Sequence, residues 1–268
     1  MLFAAELFAQ NGFDTAVYGF GNAALRCPKI KKESTAGAAL SGADYAVLPP
    51  VVSRDGKNIF APLAEEEAPA SALDFGNSLV FCGTSCPHMA AKTVCYALRE
   101  SFAVSNALPT AESAIKIAME ERKSTVCGMR AAVLGFGRIG KLLAKDLLAL
   151  GARVDVYARR SEARAWAEVI GAQAMGFDAL AAQIASYDCI FNTVPENVVS
   201  ADALARIGRG VPLLELASPP GGVDAAEAEK AGVHLVAAGG LPGKIMPKAA
   251  GKIIYETVRE MIEEEENR

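Results

Sequence analysis

The thirty residues AVLGFGRIGKLLAKDLLALGARVDVYARRS, Ala132–Ser161, constrain this chain more than any other stretch. A short apolar run meets three glycines, Gly135, Gly137 and Gly140. Apolar residues then recur at helical spacing from Arg138 to Leu150, Gly151 stops the helix, and a second apolar run covers Arg153–Tyr157. Strand, glycine turn, helix and strand in this order make a dinucleotide-binding unit. Gly135 permits the tight turn, and Gly137 lets the backbone approach a pyrophosphate. Gly140 lets the helix pack close to the strand, and the helix N-terminus faces the anion. Phe136, Arg138 and Ile139 complete the loop as candidate cofactor-binding residues. The competing reading is a glycine turn in a plain α/β domain.

The second strand bears on which dinucleotide is held. A site for NAD places Asp or Glu at its end, to accept from the ribose 2′-hydroxyl. Here Ala158 stands at that point, followed by Arg159, Arg160 and Ser161. An acid would repel a 2′-phosphate, whereas guanidinium forks and a hydroxyl bind one. The loop therefore favours NADP, unless the arginines are solvated surface charges. Asp155 comes too early in the strand to serve the ribose.

Strand-helix alternation continues to the end of the chain, which implies a parallel sheet covered on both faces. Strands are expected near Gln173–Met175 and at Cys189–Asn192, Leu213–Leu216 and His234–Ala237, with helices at Glu162–Ile170, Asp178–Ala185, Ala225–Ala231 and Lys248–Glu265. FNTVP places Asn192, Thr193, Val194 and Pro195 at one carboxyl strand end. ELASPPGG places Ala217 and Ser218 at the next, and GGLPGKIMPKAAG closes the series. All six named residues are candidate cofactor contacts.

The first half repeats the pattern more loosely. Strands are expected at Thr15–Gly19, Tyr45–Leu48 and Ser78–Phe81, and helices at Leu2–Gln10 and His88–Leu98. Thr110 is expected to cap a connecting helix that runs to about Lys123. The acidic EEEENR tail opposes the helix dipole and is expected to fray. The fold expected is α/β: a Rossmann-type doubly wound parallel sheet with a second, smaller flavodoxin-like domain. Residues 1–108 form the smaller domain, 109–243 the nucleotide domain, and 244–268 a helix that crosses back to the first.

Composition excludes some classes. The chain has 268 residues, 51% of them apolar, enough for a sizeable core in one or two domains. A net charge of −4 argues against a nucleic-acid surface. Cys27, Cys82, Cys86, Cys95, Cys127 and Cys189 lie in apolar context and read as buried reduced thiols of a cytoplasmic protein. MLFAAELFAQNGF contains Glu6 and no basic leader, so it reads as an amphipathic helix and not a signal peptide. No run approaches the roughly 18 apolar residues of a membrane helix.

GFGRIGKLLAKDLLALGA, NTVP, LASPPGG and GLPGKIMPKAAG, in this order, resemble the dipicolinate synthase A-subunit family of spore-forming bacteria. The likeness runs from about Pro109 to the C-terminus and is looser in the first half, through LPPVVS and the Gly83–Ser85 turn. The family opens with a strand and a glycine-rich turn, whereas this sequence begins inside the helix that should follow. The resemblance implies oxidation of a dihydro- or hydroxytetrahydro-dipicolinate to pyridine-2,6-dicarboxylate by a nicotinamide cofactor, for sporulation. It also implies a partner, a flavoprotein-like B subunit, and a homo-oligomer is expected. The nucleotide half resembles D-2-hydroxyacid dehydrogenases as well, but Ser218 and Lys248 stand where those enzymes carry Arg and His. Two alternatives follow: a non-catalytic NADP-binding subunit, and a hydroxyacid-dehydrogenase-like oxidoreductase acting on another substrate.

Lys248 and His88 are the candidate catalytic residues. Lys248 is also a candidate carboxylate binder, or simply a lysine at a helix start. Ser53, Arg54, Gly83, Thr84 and Ser85 are candidate substrate contacts, Arg54 as a clamp and the turn as a carboxylate seat. Cys82, Cys86 and His88 fit no common zinc spacing, so no metal is expected. His234 falls in a strand and reads as structural.

Overall fold

The computed structural model describes residues 1–84, 92–218 and 220–267. The chain divides into two units, 1–105 with 247–268, and 106–246.

The first unit opens with α1 (Leu2–Gln10), then β1 (Ala16–Val17), β2 (Lys31–Lys32), α2 (Ala36–Leu40), β3 (Tyr45–Val47), β4 (Leu79–Cys82) and β5 (Thr93–Cys95). β1 pairs with β2, and β3, β4 and β5 form a three-stranded sheet, all in parallel. The helix expected over His88–Leu98 is corrected in its described part: residues 93–95 are strand and Tyr96–Leu98 is a 3-10 turn. Thr93 and Val94 are β-branched, and β4 offers them a parallel edge in register with Val80 and Phe81.

α3 (Glu100–Arg122) is continuous through Pro109, and the boundary between the units falls within it. Thr110 is no cap. It lies near the middle of the helix, and its hydroxyl donates to the Asn106 carbonyl four residues back.

The second unit is one six-stranded parallel sheet. Its strands and helices are β6 (Arg130–Leu134), α4 (Arg138–Ala149), β7 (Arg153–Tyr157), α5 (Ser161–Val169), β8 (Gln173–Met175), α6 (Leu180–Gln183), β9 (Cys189–Asn192), α7 (Ala201–Ala205), β10 (Pro212–Glu215), α8 (Ala225–Lys230), β11 (His234–Ala237) and α9 (Leu241–Ile245). The strand order is β11-β10-β9-β6-β7-β8. The chain winds outward from β6 one way and then from β9 the other, so the topological switch point lies between these two strands. β6 shows why the sheet forms. Ala131 and Val133 join Leu143, Ala144 and Leu147 on one face, while Ala132 and Leu134 join Leu180, Ile184 and Leu213 on the other. Truncating Leu147, which is fully buried, to Ala should cost about 2–5 kcal/mol.

α10 (Pro247–Glu266) belongs to the first unit, where it packs on α1. Phe8 and Tyr255 meet edge to face at 4.9 Å. The acidic end does not fray as expected but stays helical to Glu266. Arg99 grips Glu264 with its two terminal guanidinium nitrogens, Arg259 pairs with Glu263, and the Tyr45 hydroxyl meets Glu266 at 2.9 Å. These partners offset the dipole that acids at this end oppose.

Candidate cofactor site

β6 ends at Leu134 and the chain turns at Gly135 with φ +95°. A Cβ at Gly135 would lie 2.5 Å from the Thr193 hydroxyl oxygen, and one at Gly140 would lie 2.2 Å from the Gly135 carbonyl oxygen. Gly137 is different: it is exposed, and a Cβ there would meet nothing within 4 Å. Two glycines close the loop against the protein and the middle one leaves a bare face at the N-terminus of α4. That helix is 12 residues long, and no side chain of its N-cap residue, Gly137, occupies the first turn. Outward N–H groups and a positive helix end make a seat for a pyrophosphate. Phe136 is buried in the core beneath the loop, Ile139 is half-buried and Arg138 is exposed.

The neighbouring strand end is tied to the same loop. Thr193 donates to the Leu134 carbonyl through its backbone N–H at 2.9 Å and its hydroxyl at 2.8 Å. Asn192 is fully buried, and its carboxamide is occupied within the protein. The Nδ2 donates to the Val194 carbonyl and to both Glu215 carboxylate oxygens, at 2.9 and 3.0 Å. The Oδ1 accepts from the Val194 N–H. Its side chain is therefore committed to the fold and not to a cofactor. Glu215 is absent from the site residues expected from sequence. It also accepts from the N–H groups of Ala217 and Gly222, each at 3.0 Å. Hydrogen bonds to a charged group contribute about 1.5–3 kcal/mol each. Val194 is half-buried, and Pro195 and Ser218 are exposed at these strand ends.

At the other side of the switch point, a cavity of about 690 Å³ is lined by Arg159, Arg164, Gly176, Phe177, Asp178 and Asn197, among others. Arg159 pairs with Glu196 at 2.6 Å, and Arg164 donates to the Ala158 and Arg159 carbonyls. Arg160 and Ser161, at the start of α5, are exposed and lie outside this lining. Arg164 carries no signal in the sequence because it sits in the first turn of α5, well past the strand end. Asp155 is consumed elsewhere. It is buried, accepts from the Tyr187 hydroxyl at 2.7 Å, and pairs with Arg130 at 3.3 Å. Tyr187 in turn meets Tyr157 at 2.6 Å, and burial together with these bonds pushes the Tyr187 phenol up.

The remaining candidates are dispersed. Ser53 and Asp55 build a local turn, and Arg54 lies over the Phe60 ring at 3.9 Å. The Gly83 carbonyl accepts from the Cys95 thiol, and the Thr84 hydroxyl accepts from the Val52 N–H. His88, Ser85 and Cys86 lie outside the described residues. Lys248 is exposed, the second residue of α10. His234 is partly exposed and meets Glu121 at 2.7 Å. The thiols differ from expectation: Cys27, Cys82 and Cys189 are buried, but Cys95 is half-buried and Cys127 exposed. Burial pushes the Cys189 thiol up to about 12. Among the described residues, no cluster of His, Cys, Asp and Glu could hold a metal, and no helix is long and apolar enough to cross a membrane.

Sheet order, glycine loop and switch point together define a Rossmann-type doubly wound domain. Residues 94–218 match the family model of the D-isomer specific 2-hydroxyacid dehydrogenase NAD-binding domain. The chain is, more particularly, similar to the dipicolinate synthase A subunit. It is 36% identical to that protein of Bacillus subtilis (strain 168) over 166 residues, 62% of this chain and 56% of the relative, so the match spans little more than half the relative's length. The crystal structure of the dipicolinate synthase A subunit from Bacillus halodurans superposes with TM-score 0.85 at 26% identity, over 97% of this chain and 93% of that one. The corresponding crystal structure from Bacillus subtilis superposes with TM-score 0.83 at 28% identity, over 98% and 92%.

Proposed function

We propose that this chain binds NADP along the carboxyl ends of β6, β7 and β9. We further propose that it acts as a dipicolinate synthase A subunit, oxidising dihydro- or hydroxytetrahydro-dipicolinate to pyridine-2,6-dicarboxylate during sporulation. The observation that carries the reading is the likeness to dipicolinate synthase A subunits over nearly all of this chain, at TM-scores of 0.85 and 0.83. NADP is favoured over NAD by the cavity at the end of β7, where Ala158 replaces the usual acid and two guanidinium groups line the wall.

The nicotinamide, when bound, supplies a two-electron hydride acceptor. The hydrated substrate first loses water. The dihydro ring then gives up a hydride from one ring carbon and a proton from its neighbour, and the product is aromatic. The protein's part is to hold the dinucleotide by the α4 N-terminus and to position a dianion. Lys248 is our candidate for one carboxylate, so Lys248→Met should raise the substrate KM about tenfold and leave NADP affinity unchanged. His88 is carried as a candidate proton acceptor by its place in the sequence alone.

The partner is taken to be a flavoprotein-like B subunit. Purified chain, alone and with that partner, is supplied with a dihydrodipicolinate-generating system while the absorbance of reduced nicotinamide is followed. Reduction of NADP⁺ in either mixture supports the assignment. Nucleotide binding with no turnover in both mixtures favours a non-catalytic subunit instead.

A further inference from the structure

Resting on the cofactor reading above, we infer that Glu215 is a positioning residue for the nicotinamide half of the dinucleotide, acting through the backbone at Ala217 and Gly222. Glu215 and Asn192 are register partners at the carboxyl ends of adjacent parallel strands, β10 and β9. Asn192 presents its Nδ2 to both carboxylate oxygens. The remaining capacity of the carboxylate goes to the N–H groups where the following turn is entered, at Ala217, and left, at Gly222. One carboxylate thus pins both ends of a turn to the strand that precedes it. Gly222 shows how close that turn is drawn: a Cβ there would lie 2.0 Å from the Val194 carbonyl oxygen and 2.5 Å from Asn192 Nδ2. The Gly222 carbonyl then accepts from Val198, which links the turn to the loop after β9. In a doubly wound sheet the dinucleotide straddles the switch point. The adenosine half lies toward β7 and β8, and the nicotinamide half toward β9 and β10. The brace is therefore assigned to the nicotinamide side, although Gly222 also packs on Glu196, the residue that pairs with Arg159.

The test separates the two halves. The protein is titrated with NADP⁺ and with 2′,5′-ADP, which carries the adenosine half only. Glu215→Gln puts an amide donor where three donors converge. NADP⁺ affinity should fall about tenfold while 2′,5′-ADP affinity changes by less than about twofold. An equal loss for both nucleotides, or no loss for either, overturns the inference. Should the Gln variant fail to fold, Glu215→Asp keeps the charge but shortens the reach; it should give a smaller loss confined to NADP⁺, and an equal loss again overturns the idea. A wild-type preference for NAD would overturn the NADP reading alone, and the same comparison is then made with NAD⁺ and ADP. Wild-type protein that binds none of these nucleotides overturns both.

Discussion

The two ends of the nucleotide-binding edge are built in opposite ways. At the ends of β9 and β10, a buried Asn192 and a half-buried Glu215 are in register and satisfied by one another and by the backbone at Val194, Ala217 and Gly222. At the ends of β7 and β8, Arg164 is half-buried but Arg159 is exposed and pairs with Glu196 from another loop, with side chains 58% and 64% exposed. A buried network fixes geometry, because leaving any member unpaired is costly. An exposed pair contributes about 0–1 kcal/mol and can exchange partners. In the proposed complex the tasks divide accordingly: one end would hold a reacting ring in place, and the other would recognise a charge.

The largest effect that would break this division is expected between the two ends, at Gly137. Its open face separates binding from folding. Gly137→Asp puts a carboxylate where the pyrophosphate should sit, and its Cβ meets nothing within 4 Å, so nucleotide affinity should fall about a hundredfold or more while thermal stability stays near wild type. Gly135→Val, in contrast, meets Thr193 and Val194 and should lower the melting temperature as well. Parallel melting and titration curves check both, and a stable Gly137→Asp protein with unchanged affinity would sink the site. Next in size is Arg159→Ala. A lost charge-assisted bond of about 1.5–3 kcal/mol should weaken NADP roughly ten- to hundredfold and leave NAD nearly unaffected. Equal losses for the two cofactors would mean that the arginine does not meet the 2′-phosphate.

Much of this is legible in the chain itself. β9 is buried throughout and reads as an apolar run, β7, β8 and β11 are bracketed by helix and turn signals, and the glycine spacing marks the loop. The short helices α7 and α9, five residues each, carry too few turns to leave a period. β5 reads as helix in the sequence because its three residues show no alternation, and only the β4 edge makes them a strand. The acidic tail reads as frayed for a similar reason, since Arg99 and Tyr45 are more than 160 residues away in sequence. The site follows the same rule. Glycine roles depend on neighbours in sequence and can be read there. Glu215 can be found only once β9 and β10 are known to be adjacent and in register, for then two polar residues closing neighbouring strands become a pair.

The smallest effect is the sharpest test of how exposed charges act. Glu196 pairs with Arg159, so a 2′-phosphate that meets this guanidinium must take it from a carboxylate and then remain near it. Both terms oppose NADP, and solvent weakens both. Glu196→Gln keeps the shape and removes the charge. NADP affinity should rise about threefold, and NAD affinity should stay within twofold of wild type. Salt supplies the control. Because the competing pair is exposed, raising ionic strength should screen it and shrink the difference between variant and wild type, with a Debye length of about 3 Å at 1 M. A gain that persists in high salt would locate the effect in loop geometry. A loss of NADP affinity would mean that Glu196 holds Arg159 in the orientation that the phosphate needs.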